Sequence, residues 1–348
     1  MSSVAEIKEL FDGCRQAWDR GAKTVLALVT AVEGSAYRRP GAKMLLTSDG
    51  QMLGMISGGC LEGDLYGHAE KVSAESGPVQ LHYDLNQDAA WGLGIGCQGR
   101  LDVLLLPLLE EDPFWRAFSQ TTIDGGPMVW MQKIPDGARA LLTADGTMFG
   151  DALSPEALAL AEAVLMDRAR PKVVDIASQK FFLDVISPSP HLIISGANLD
   201  AVAVAHLAAT VGFEVSVLDP RPEFNQPTRI PMASHHLVMD PEDAAATLPQ
   251  SSFWLIMNHH RHRDQKSIVT AMSTAARWIG ILGPRRRTAS LLATLGLDFN
   301  DGPFVSPVGL DLGAETAAEV ALSIVAQLLS AERGRNGSPL HGHPHIHS

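Results

Sequence analysis

The sequence predicts an α/β protein, with an N-terminal mixed α+β domain followed by a C-terminal Rossmann-like domain on a doubly wound parallel sheet. Two observations predict it. Up to residue 187, short apolar segments flank Asp-Gly turns, which is typical of antiparallel hairpins. From residue 191 on, short buried-strand segments alternate with helical segments, which is typical of a parallel sheet with right-handed crossovers.

Length, composition and charge exclude several classes of protein. The chain has 348 residues, 46% hydrophobic and 19% charged, with a net charge of −12. This length allows two domains with their own cores, and the acidic balance argues against a general nucleic-acid binder. The apolar runs are too short to span a bilayer, so we expect no membrane partner. The start of the chain looks like a polar helix without a secretory core, and three cysteines without a CxxC pair indicate a reduced, cytoplasmic protein.

Three segments are expected: an N-terminal domain over 1–187, a Rossmann-like domain over 188–332 and a flexible tail over 333–348. Ser187-Pro188-Ser189-Pro190 is the predicted boundary between the domains. The tail carries alternating histidines, and a flexible end with adventitious metal binding is favoured over a dedicated metal site.

In the first domain we expect a helix, a strand over Thr24–Val32 and a hairpin around Ser48-Asp49-Gly50. The turn Ala144-Asp145-Gly146 resembles that hairpin turn, but the sequence shows no convincing repeat. The remaining expected elements are a helix at 61–74, strands at 79–83 and 99–106, hairpin strands within 127–148, a helix at 154–168 and a strand at 181–186.

The second domain begins with the skeleton of a dinucleotide site: a strand, a glycine turn, an apolar helix and a second strand that ends in an acid. Gly196 turns the chain, but Asn198 and Ala201 stand where the second and third glycines belong, and the Asn198 side chain crowds the phosphate position. Asp219 is placed to bind a ribose, and Arg221 is a candidate phosphate contact. A vestigial site and a functional nucleotide or pterin-nucleotide site both stay open.

Two basic clusters follow later strands of the same domain. They are Asn258–Asp264, which includes His259, and Gly283–Arg287. Ligands of open α/β sheets bind outside the carboxyl ends of the strands, so both clusters are placed for an anionic, phosphate-bearing ligand. Simple surface arginines are the alternative. Because cations at a helix N-terminus oppose the helix dipole, a ligand or salt-bridge role is favoured.

Two cysteines lie among glycines, in Ser57-Gly58-Gly59-Cys60 and in Gly96-Cys97. Such density of glycine indicates turns with positive φ or a close approach of a ligand to the backbone. Cys60 is expected near the start of a helix, where the dipole lowers the pKa of a thiol. A thiolate there could act as nucleophile, sulfur carrier or soft-metal ligand, whereas a buried cysteine acting as a small apolar residue is the alternative.

The segment GSAYRRPGAKM (34–44), followed by SGGCLE (57–62), resembles the signature of the XdhC/CoxI family, accessory proteins for xanthine dehydrogenase and related molybdenum hydroxylases. Other segments resemble the family in the same order: Gly96-Cys97, Leu218–Phe224, Met257–Asp264, Ile279–Gly283 and Pro307–Thr316. The chain departs from the family pattern at Gln98, after the second cysteine, and at Asn198 in the glycine turn.

The resemblance implies a cytoplasmic chaperone that binds molybdenum cofactor (molybdopterin), assists its sulfuration and inserts it into a molybdenum hydroxylase apoenzyme. A cysteine desulfurase is a second candidate partner, and we expect a homodimer. Cys60 and Cys97 would contact the metal or its terminal sulfur, and Arg38 or Lys43 would meet the phosphate. Glu62 would tune a neighbouring group or favour the first helical turn. The candidate cofactor-binding residues are Arg38, Lys43, Gly58, Gly59, Cys60, Glu62, Cys97, Gly196, Asn198, Asp219, Arg221 and His259.

Two other functions are weighed against the chaperone. The first is an NAD(P)- or flavin-dependent oxidoreductase that uses the Rossmann-like domain, with Cys60 as redox thiol. The turn Gly196-Ala197-Asn198, which has no evident acid/base partner, disfavours it. The second is a structural or assembly factor that has lost its ligand and uses only the domain interface to hold the partner dehydrogenase.

Overall fold

The computed structural model describes residues 2–34, 37–72, 77–84, 99–135, 137–167 and 169–341. The chain forms two compact units, Met1–Pro188 and Ser189–Ser348. None of the helices in the described part of the chain combines the length and apolar character that a bilayer span requires. Cys97 and most of the histidine-rich tail lie outside the described residues.

The first unit is built from antiparallel sheets and helices. Its helices are α1 (Val4–Asp19), α2 (Glu62–Ala69), α3 (Pro113–Asp124) and α4 (Pro155–Met166). Its strands are β1 (Ser2–Ser3), β2 (Thr24–Gly34), β3 (Lys43–Thr47), β4 (Met52–Gly54), β5 (Val79–Asp84), β6 (Gly99–Leu108), β7 (Met128–Ile134), β8 (Arg139–Thr143), β9 (Met148–Gly150), β10 (Lys172–Ile176) and β11 (Gln179–Ser187). The helix expected over 61–74 thus ends earlier, at Ala69.

Local signals fix several helix starts. The Ser3 hydroxyl accepts a hydrogen bond from the Glu6 amide at the start of α1. Asp112 and Ser154 cap α3 and α4 in the same way, and each is followed by proline at the first helical position. These side chains satisfy amide groups that have no partner inside the helix, and proline has no amide to leave unpaired there.

The two sheets of this unit have the same strand order, and this reveals an internal duplication. One sheet runs β4-β3-β2-β6-β5, and the other runs β9-β8-β7-β11, with β10 and β1 both paired to β11. Each helix–strand set therefore recurs: a first repeat over residues 4–108 and a second repeat over residues 113–187. The expectation of no convincing repeat is wrong.

The register confirms that the repeats match residue by residue. KMLLTSDGQMLG (43–54) and ARALLTADGTMFG (138–150) share Leu-Leu-Thr-x-Asp-Gly-x-Met-x-Gly. In both, the threonine hydroxyl bonds the aspartate two residues later, as Thr47 does to Asp49 and Thr143 to Asp145. Gly54 and Gly150 have φ of 91° and 95°, and a Cβ on either would overlap the carbonyl oxygen of Lys43 or Arg139. This signal was present in the sequence, but insertions elsewhere hid it.

The duplication also organises the core. Helices α1 and α3 pack with the inner faces of both sheets in one aromatic-rich cluster that includes Trp115, Trp130 and Phe182. Helix α2 covers the outer face of the first-repeat sheet, and α4 covers the outer face of the second-repeat sheet. Alternate residues of the central strands therefore face two different cores, which is why those strands are mostly apolar and buried along most of their length.

The second unit is a doubly wound parallel sheet, which confirms the predicted fold class. Its strands lie in the order β14-β13-β12-β15-β16-β17, and every pairing is parallel. The strands are β12 (His191–Ser195), β13 (Glu214–Leu218), β14 (His235–Leu237), β15 (Phe253–Ile256), β16 (Trp278–Ile281) and β17 (Phe304–Val305). The helices are α5 (Leu199–Thr210), α6 (Pro241–Ala244), α7 (Arg261–Ser273), α8 (Arg285–Thr294) and α9 (Ala317–Glu332).

Candidate functional site

The candidate residues of the first unit lie in, or directly next to, connections at one end of the first-repeat sheet. Strand pairing places Gly34, Lys43, Gly54, Asp84 and Gly99 at the same end, because neighbouring strands are antiparallel. The connections 35–42, 55–61 and 85–98 therefore all leave the sheet there. The third connection lies outside the described residues; the residues that flank it, Asp84 and Gly99, lie next to the Gly34 end of β2.

The glycine-rich loop before α2 presents Cys60 to solvent. Gly58 and Gly59 have φ of 77° and 109°, which side-chain-bearing residues adopt only with strain. The space over Gly59 is open, since no atom lies within 4 Å of the position that a Cβ would take. The ring of Tyr37 lies 3.6 Å from the corresponding position on Gly58. A ligand can therefore approach the backbone next to the thiol.

Glu62 holds this loop in place. Its carboxylate accepts hydrogen bonds from the amides of Ile56 (3.2 Å), Ser57 (2.8 Å), Gly59 (2.9 Å) and Leu61 (3.1 Å), and from the Ser57 hydroxyl. Partial burial raises the pKa of Glu62, but the hydrogen bonds from Ser57 and the backbone outweigh it, and the pKa is lower than usual. Glu62 thus positions Cys60 through the loop backbone.

Replacing Glu62 with Gln is expected to loosen the loop without unfolding the unit, because an amide offers one acceptor oxygen where the carboxylate offers two. Hydrogen exchange of the peptide 55–61 should become about tenfold faster or more. In the unchanged protein the loop should be ordered above the ordinary glutamate pKa and should loosen as the pH falls through the lowered value.

The Thr147 amide, which donates to Asp145 over 3.0 Å in the second repeat, is the internal control for this exchange measurement. Equal protection of 55–61 in the Gln variant would show that Glu62 does not hold the loop.

Lys43 has a different role from the predicted phosphate contact. Its side chain is 1% exposed, and its ammonium pairs with the Asp184 carboxylate and donates to the Ser2 hydroxyl (2.6 Å) and the Gly41 carbonyl (3.0 Å). The ammonium therefore has all of these partners inside the protein. The structure corrects the expectation that Lys43 contacts a phosphate. Sequence spacing gave no sign of this, since Asp184 lies 141 residues away. Arg38 is 43% exposed, 3.9 Å from Glu6, and can reach a ligand.

The other described cysteine is unsuited to binding. Cys14 of α1 is buried in the core between the sheets, and this burial raises the pKa of its thiol to about 12. Across the described ranges, no three His, Cys, Asp or Glu side chains converge to hold a metal ion. Cys60 is thus the exposed thiol in the described part of this end.

In the second unit, the glycine turn after β12 presses against the chain that follows β15. Gly196 has φ of 112°, and a Cβ on it would lie 2.8 Å from the backbone of Met257 and Asn258. Asn198 caps α5, because its Oδ1 accepts from the Ala201 amide (2.9 Å), and its Nδ2 donates to the Met257 carbonyl (2.9 Å). The asparagine side chain therefore stands at the helix N-terminus, where a pyrophosphate would bind.

Asp219, the acid that follows β13, also has its hydrogen-bond partners within the protein. Asp219 is fully buried and accepts from the Ala197 amide (2.8 Å) and from Nε (2.9 Å) and Nη2 (2.7 Å) of Arg221. Burial raises the pKa of Asp219, but these hydrogen bonds outweigh it and the pKa is lowered. The Arg221 guanidinium also lies 4.3 Å from the ring centre of Phe224. The residues of this turn do not fit a dinucleotide, since both ribose and pyrophosphate would have to displace them.

Some of the basic side chains in the two clusters already have partners within the protein. Arg287 forms an ion pair with Asp264, a buried residue whose Oδ1 accepts from the Asn258 amide and side chain (both 3.2 Å). Arg285 lies 3.9 Å from the ring centre of Phe299. His259 is exposed and has φ of 54°. The predicted salt-bridge role thus describes Arg287, whereas His259 faces solvent at the carboxyl edge.

Comparison with known proteins gives the family. Residues 17–84 match a model of the XdhC and CoxI family, and residues 192–328 match a model of the XdhC Rossmann domain. A Bacillus subtilis protein described as a probable subunit of xanthine dehydrogenase is 31% identical over 325 residues, covering 89% of this chain and 94% of that protein. The chain belongs to the XdhC/CoxI family.

Two further relatives of this XdhC/CoxI protein extend the comparison. The molybdenum cofactor insertion chaperone PaoD of Escherichia coli is 23% identical over 89% of this chain and 84% of that protein. A crystal structure described as a xanthine dehydrogenase from Bacillus halodurans is 33% identical, with a TM-score of 0.79 over 98% of this chain and 99% of that chain. The resemblance seen in the sequence motifs is confirmed.

The two family models match the first repeat and the Rossmann-like unit of this XdhC/CoxI protein, but not the second repeat. The first match contains the connections 35–42 and 55–61 of the first repeat, and the second covers the parallel sheet. The second repeat, residues 113–187, lies between the two matches.

Proposed function

We propose that this XdhC/CoxI protein is a chaperone that binds molybdenum cofactor and inserts it into a xanthine dehydrogenase-like apoenzyme. The observation that carries the proposal is the similarity to a molybdenum cofactor insertion chaperone over 89% of this chain. An exposed thiol on a loop with preformed geometry supports it from the site.

The cargo is a phosphate-bearing pterin with a sulfur-ligated, soft metal, and the end of the first-repeat sheet offers matching chemistry. Cys60 supplies a soft sulfur beside the open backbone of Gly59. Arg38 supplies a guanidinium that can pair with a phosphate. Because Glu62 fixes the loop in advance, little ordering has to accompany binding. Cys97, in the third connection, is proposed as a second sulfur ligand.

The proposal extends to the sulfuration step, with a cysteine desulfurase as the sulfur source, and to a cytoplasmic homodimer. Sedimentation at the mass of a monomer would remove the dimer from the proposal. It does not extend to a dinucleotide. Asn198 and Asp219 are bonded within the protein, which weighs against an NAD(P)- or flavin-dependent oxidoreductase.

Replacing Cys60 with Ser is expected to abolish retention of the cofactor while the fold stays intact, because the side chain is exposed and serine is a poor ligand for a soft metal. The protein would be incubated with molybdenum cofactor released from a molybdoenzyme and filtered, and bound molybdenum and pterin would be measured. Activation of a xanthine dehydrogenase apoenzyme would be followed in parallel.

Cys14→Ala is the matched control, since it removes a thiol that is buried in the core between the sheets. It should lower the melting temperature and leave retention unchanged. Equal retention by Cys60→Ser and the unchanged protein would exclude Cys60 from cofactor binding.

A further inference from the structure

We infer that the buried pair of Lys43 and Asp184 positions Arg38 for the phosphate of the cofactor, because it fixes the backbone of residues 37–42. The inference rests on the proposed function. It assigns to the second repeat, which carries Asp184, a part in the binding site of the first repeat. Lys43 is a positioning residue in this account: it acts through the backbone and touches no ligand.

Residues 37–42 carry Arg38 and lead directly into β3, which begins at Lys43. The Gly41 amide donates to the Val29 carbonyl of β2 (2.8 Å), and the Gly41 carbonyl accepts from the Lys43 ammonium (3.0 Å). Both polar groups of the Gly41 backbone therefore have partners within the protein. The backbone three residues after Arg38 is held on both of its polar sides.

The second repeat holds this turn at two points. Asp184 of β11 forms the ion pair with the Lys43 ammonium, and both side chains are at most 1% exposed. The Ser2 hydroxyl accepts from Lys43 (2.6 Å) and donates to Asp184 (2.7 Å). Pro171, which precedes β10, packs against Gly41, since a Cβ on Gly41 would lie 2.6 Å from the proline ring. Residues far apart in the sequence thus support one short turn.

The equivalent cation of the second repeat is used differently. Both repeats have Gly-Ala followed by a cation, at 41–43 and at 137–139. Within the described residues, the Arg139 side chain donates to Asp112 and not to the Gly137 carbonyl, and this ion pair is partly exposed. A cation turned inward onto the preceding turn is therefore a feature of the first repeat, which also carries Arg38.

Stability alone does not account for a buried ion pair at this position. Desolvation of two charges costs free energy, and apolar side chains of similar volume often give equal stability. The Asp184 Oδ1 has no hydrogen-bond partner among the described residues, which adds to this cost. An apolar pair would lack the donor that Lys43 holds at the Gly41 carbonyl. The geometry therefore points to positioning of the turn.

The double variant Lys43→Met/Asp184→Leu separates positioning from stability, because it removes both buried charges and, with them, the donor to Gly41. Hydrogen exchange of the peptide 37–42 should become about tenfold faster or more. Metal-free molybdopterin should bind about tenfold more weakly or worse, because a hydrogen bond from a charged group no longer supports the turn behind Arg38. The metal-free pterin is the probe because its binding reports on the phosphate contact and not on a thiol.

Circular dichroism and melting curves check that the double variant is folded. Lys43→Met/Asp184→Asn, which keeps the shape of the Asp184 side chain, is the second variant and should give the same exchange and binding results. Arg139→Met is the matched control from the second repeat, and it should leave both the exchange of 37–42 and the binding of metal-free molybdopterin unchanged.

Arg38→Ala tests whether Lys43 acts through Arg38. In the unchanged protein this substitution should weaken binding of metal-free molybdopterin about tenfold or more, because a charge-assisted contact to the phosphate is lost. In the Lys43→Met/Asp184→Leu protein the further loss should be much smaller, since Arg38 is no longer held in place there. Independent, multiplying losses would show that Lys43 does not act through Arg38 and would overturn the inference.

The exchange measurement keeps the inference distinct from the function on which it rests. If the unchanged protein retains no molybdenum cofactor, the proposed function fails, and exchange of 37–42 still shows whether Lys43 holds the turn. If the unchanged protein retains the cofactor, the function stands. The inference is then overturned when a folded double variant shows unchanged exchange of 37–42, or faster exchange with unchanged binding of metal-free molybdopterin.

Discussion

Replacing Lys43 with Met is expected to lower the free energy of unfolding of the first unit by about 3–5 kcal/mol, because the variant leaves a buried carboxylate without its counter-charge. Asp184 is fully buried, and its Oδ1 has no hydrogen-bond partner. All of its charge compensation therefore comes through the other oxygen, which Lys43 and Ser2 share. Urea unfolding followed by tryptophan fluorescence measures the change, since the Lys43 ammonium lies 5.9 Å from the ring centre of Trp130.

Two controls test this explanation. The double variant Lys43→Met/Asp184→Leu should recover most of the lost stability, because it removes both buried charges together. Arg139 occupies the place of Lys43 in the second repeat, and its ion pair with Asp112 is 28% and 12% exposed. Arg139→Met should therefore cost less than Lys43→Met. If the Lys43→Met protein unfolds at the same urea concentration as the unchanged protein but no longer retains the cofactor, Lys43 acts in cofactor binding and not in stability.

Replacing Gly196 with Ala is expected to destabilise the second unit by about 3 kcal/mol or more. Two costs add there. A residue with a Cβ is strained at φ of 112° by about 1–2 kcal/mol. The Cβ would also lie 2.8 Å from the backbone of Met257 and Asn258, which cannot move as a flexible side chain can, and overpacking costs about 1–3 kcal/mol. The melting temperature of the variant measures the sum.

Gly212→Ala separates the two costs. Gly212 lies at the other end of α5 with φ of 95°, and nothing lies within 4 Å of its Cβ position. This variant carries the backbone strain alone and should cost about 1–2 kcal/mol. Equal destabilisation by the two substitutions would mean that the contact between the glycine turn and the β15 connection contributes nothing.

The close packing at Gly196 also bears on how the Rossmann-like unit is used. Side chains of the protein itself hold the turn. Asn198 caps α5 and donates to the Met257 carbonyl, and Arg221 donates to the Asp219 carboxylate. A glycine at residue 198 would have left the helix amides open to phosphate. The unit keeps the topology of a nucleotide-binding domain while its usual phosphate and ribose positions are taken.

Features that depend on neighbouring residues could be predicted from the sequence alone. Alternating strand and helix segments predicted the parallel sheet, and the Asp-Gly turns predicted the hairpins. Gly58 and Gly59 predicted a positive-φ loop in front of a helix, with Cys60 on it. These signals are short-range: a backbone angle, a cap or a repeat of apolar residues is set within a few positions. The ordered series of motifs likewise identified the family.

Which charged side chains are free depended on the tertiary structure. Lys43 looked like a ligand, but the fold places its ammonium against Asp184, 141 residues away. Asp219 also looked like a ligand; its partner Arg221 is local in sequence, whereas the fold brings the Ala197 amide to it from 22 residues away. Both repeats contain the pattern Leu-Leu-Thr-x-Asp-Gly-x-Met-x-Gly. Because the connections of the two repeats differ in length, the rest of the sequence does not recur at a constant spacing. A buried charge is stable only with a partner, and the fold, which brings distant strands together, selects that partner.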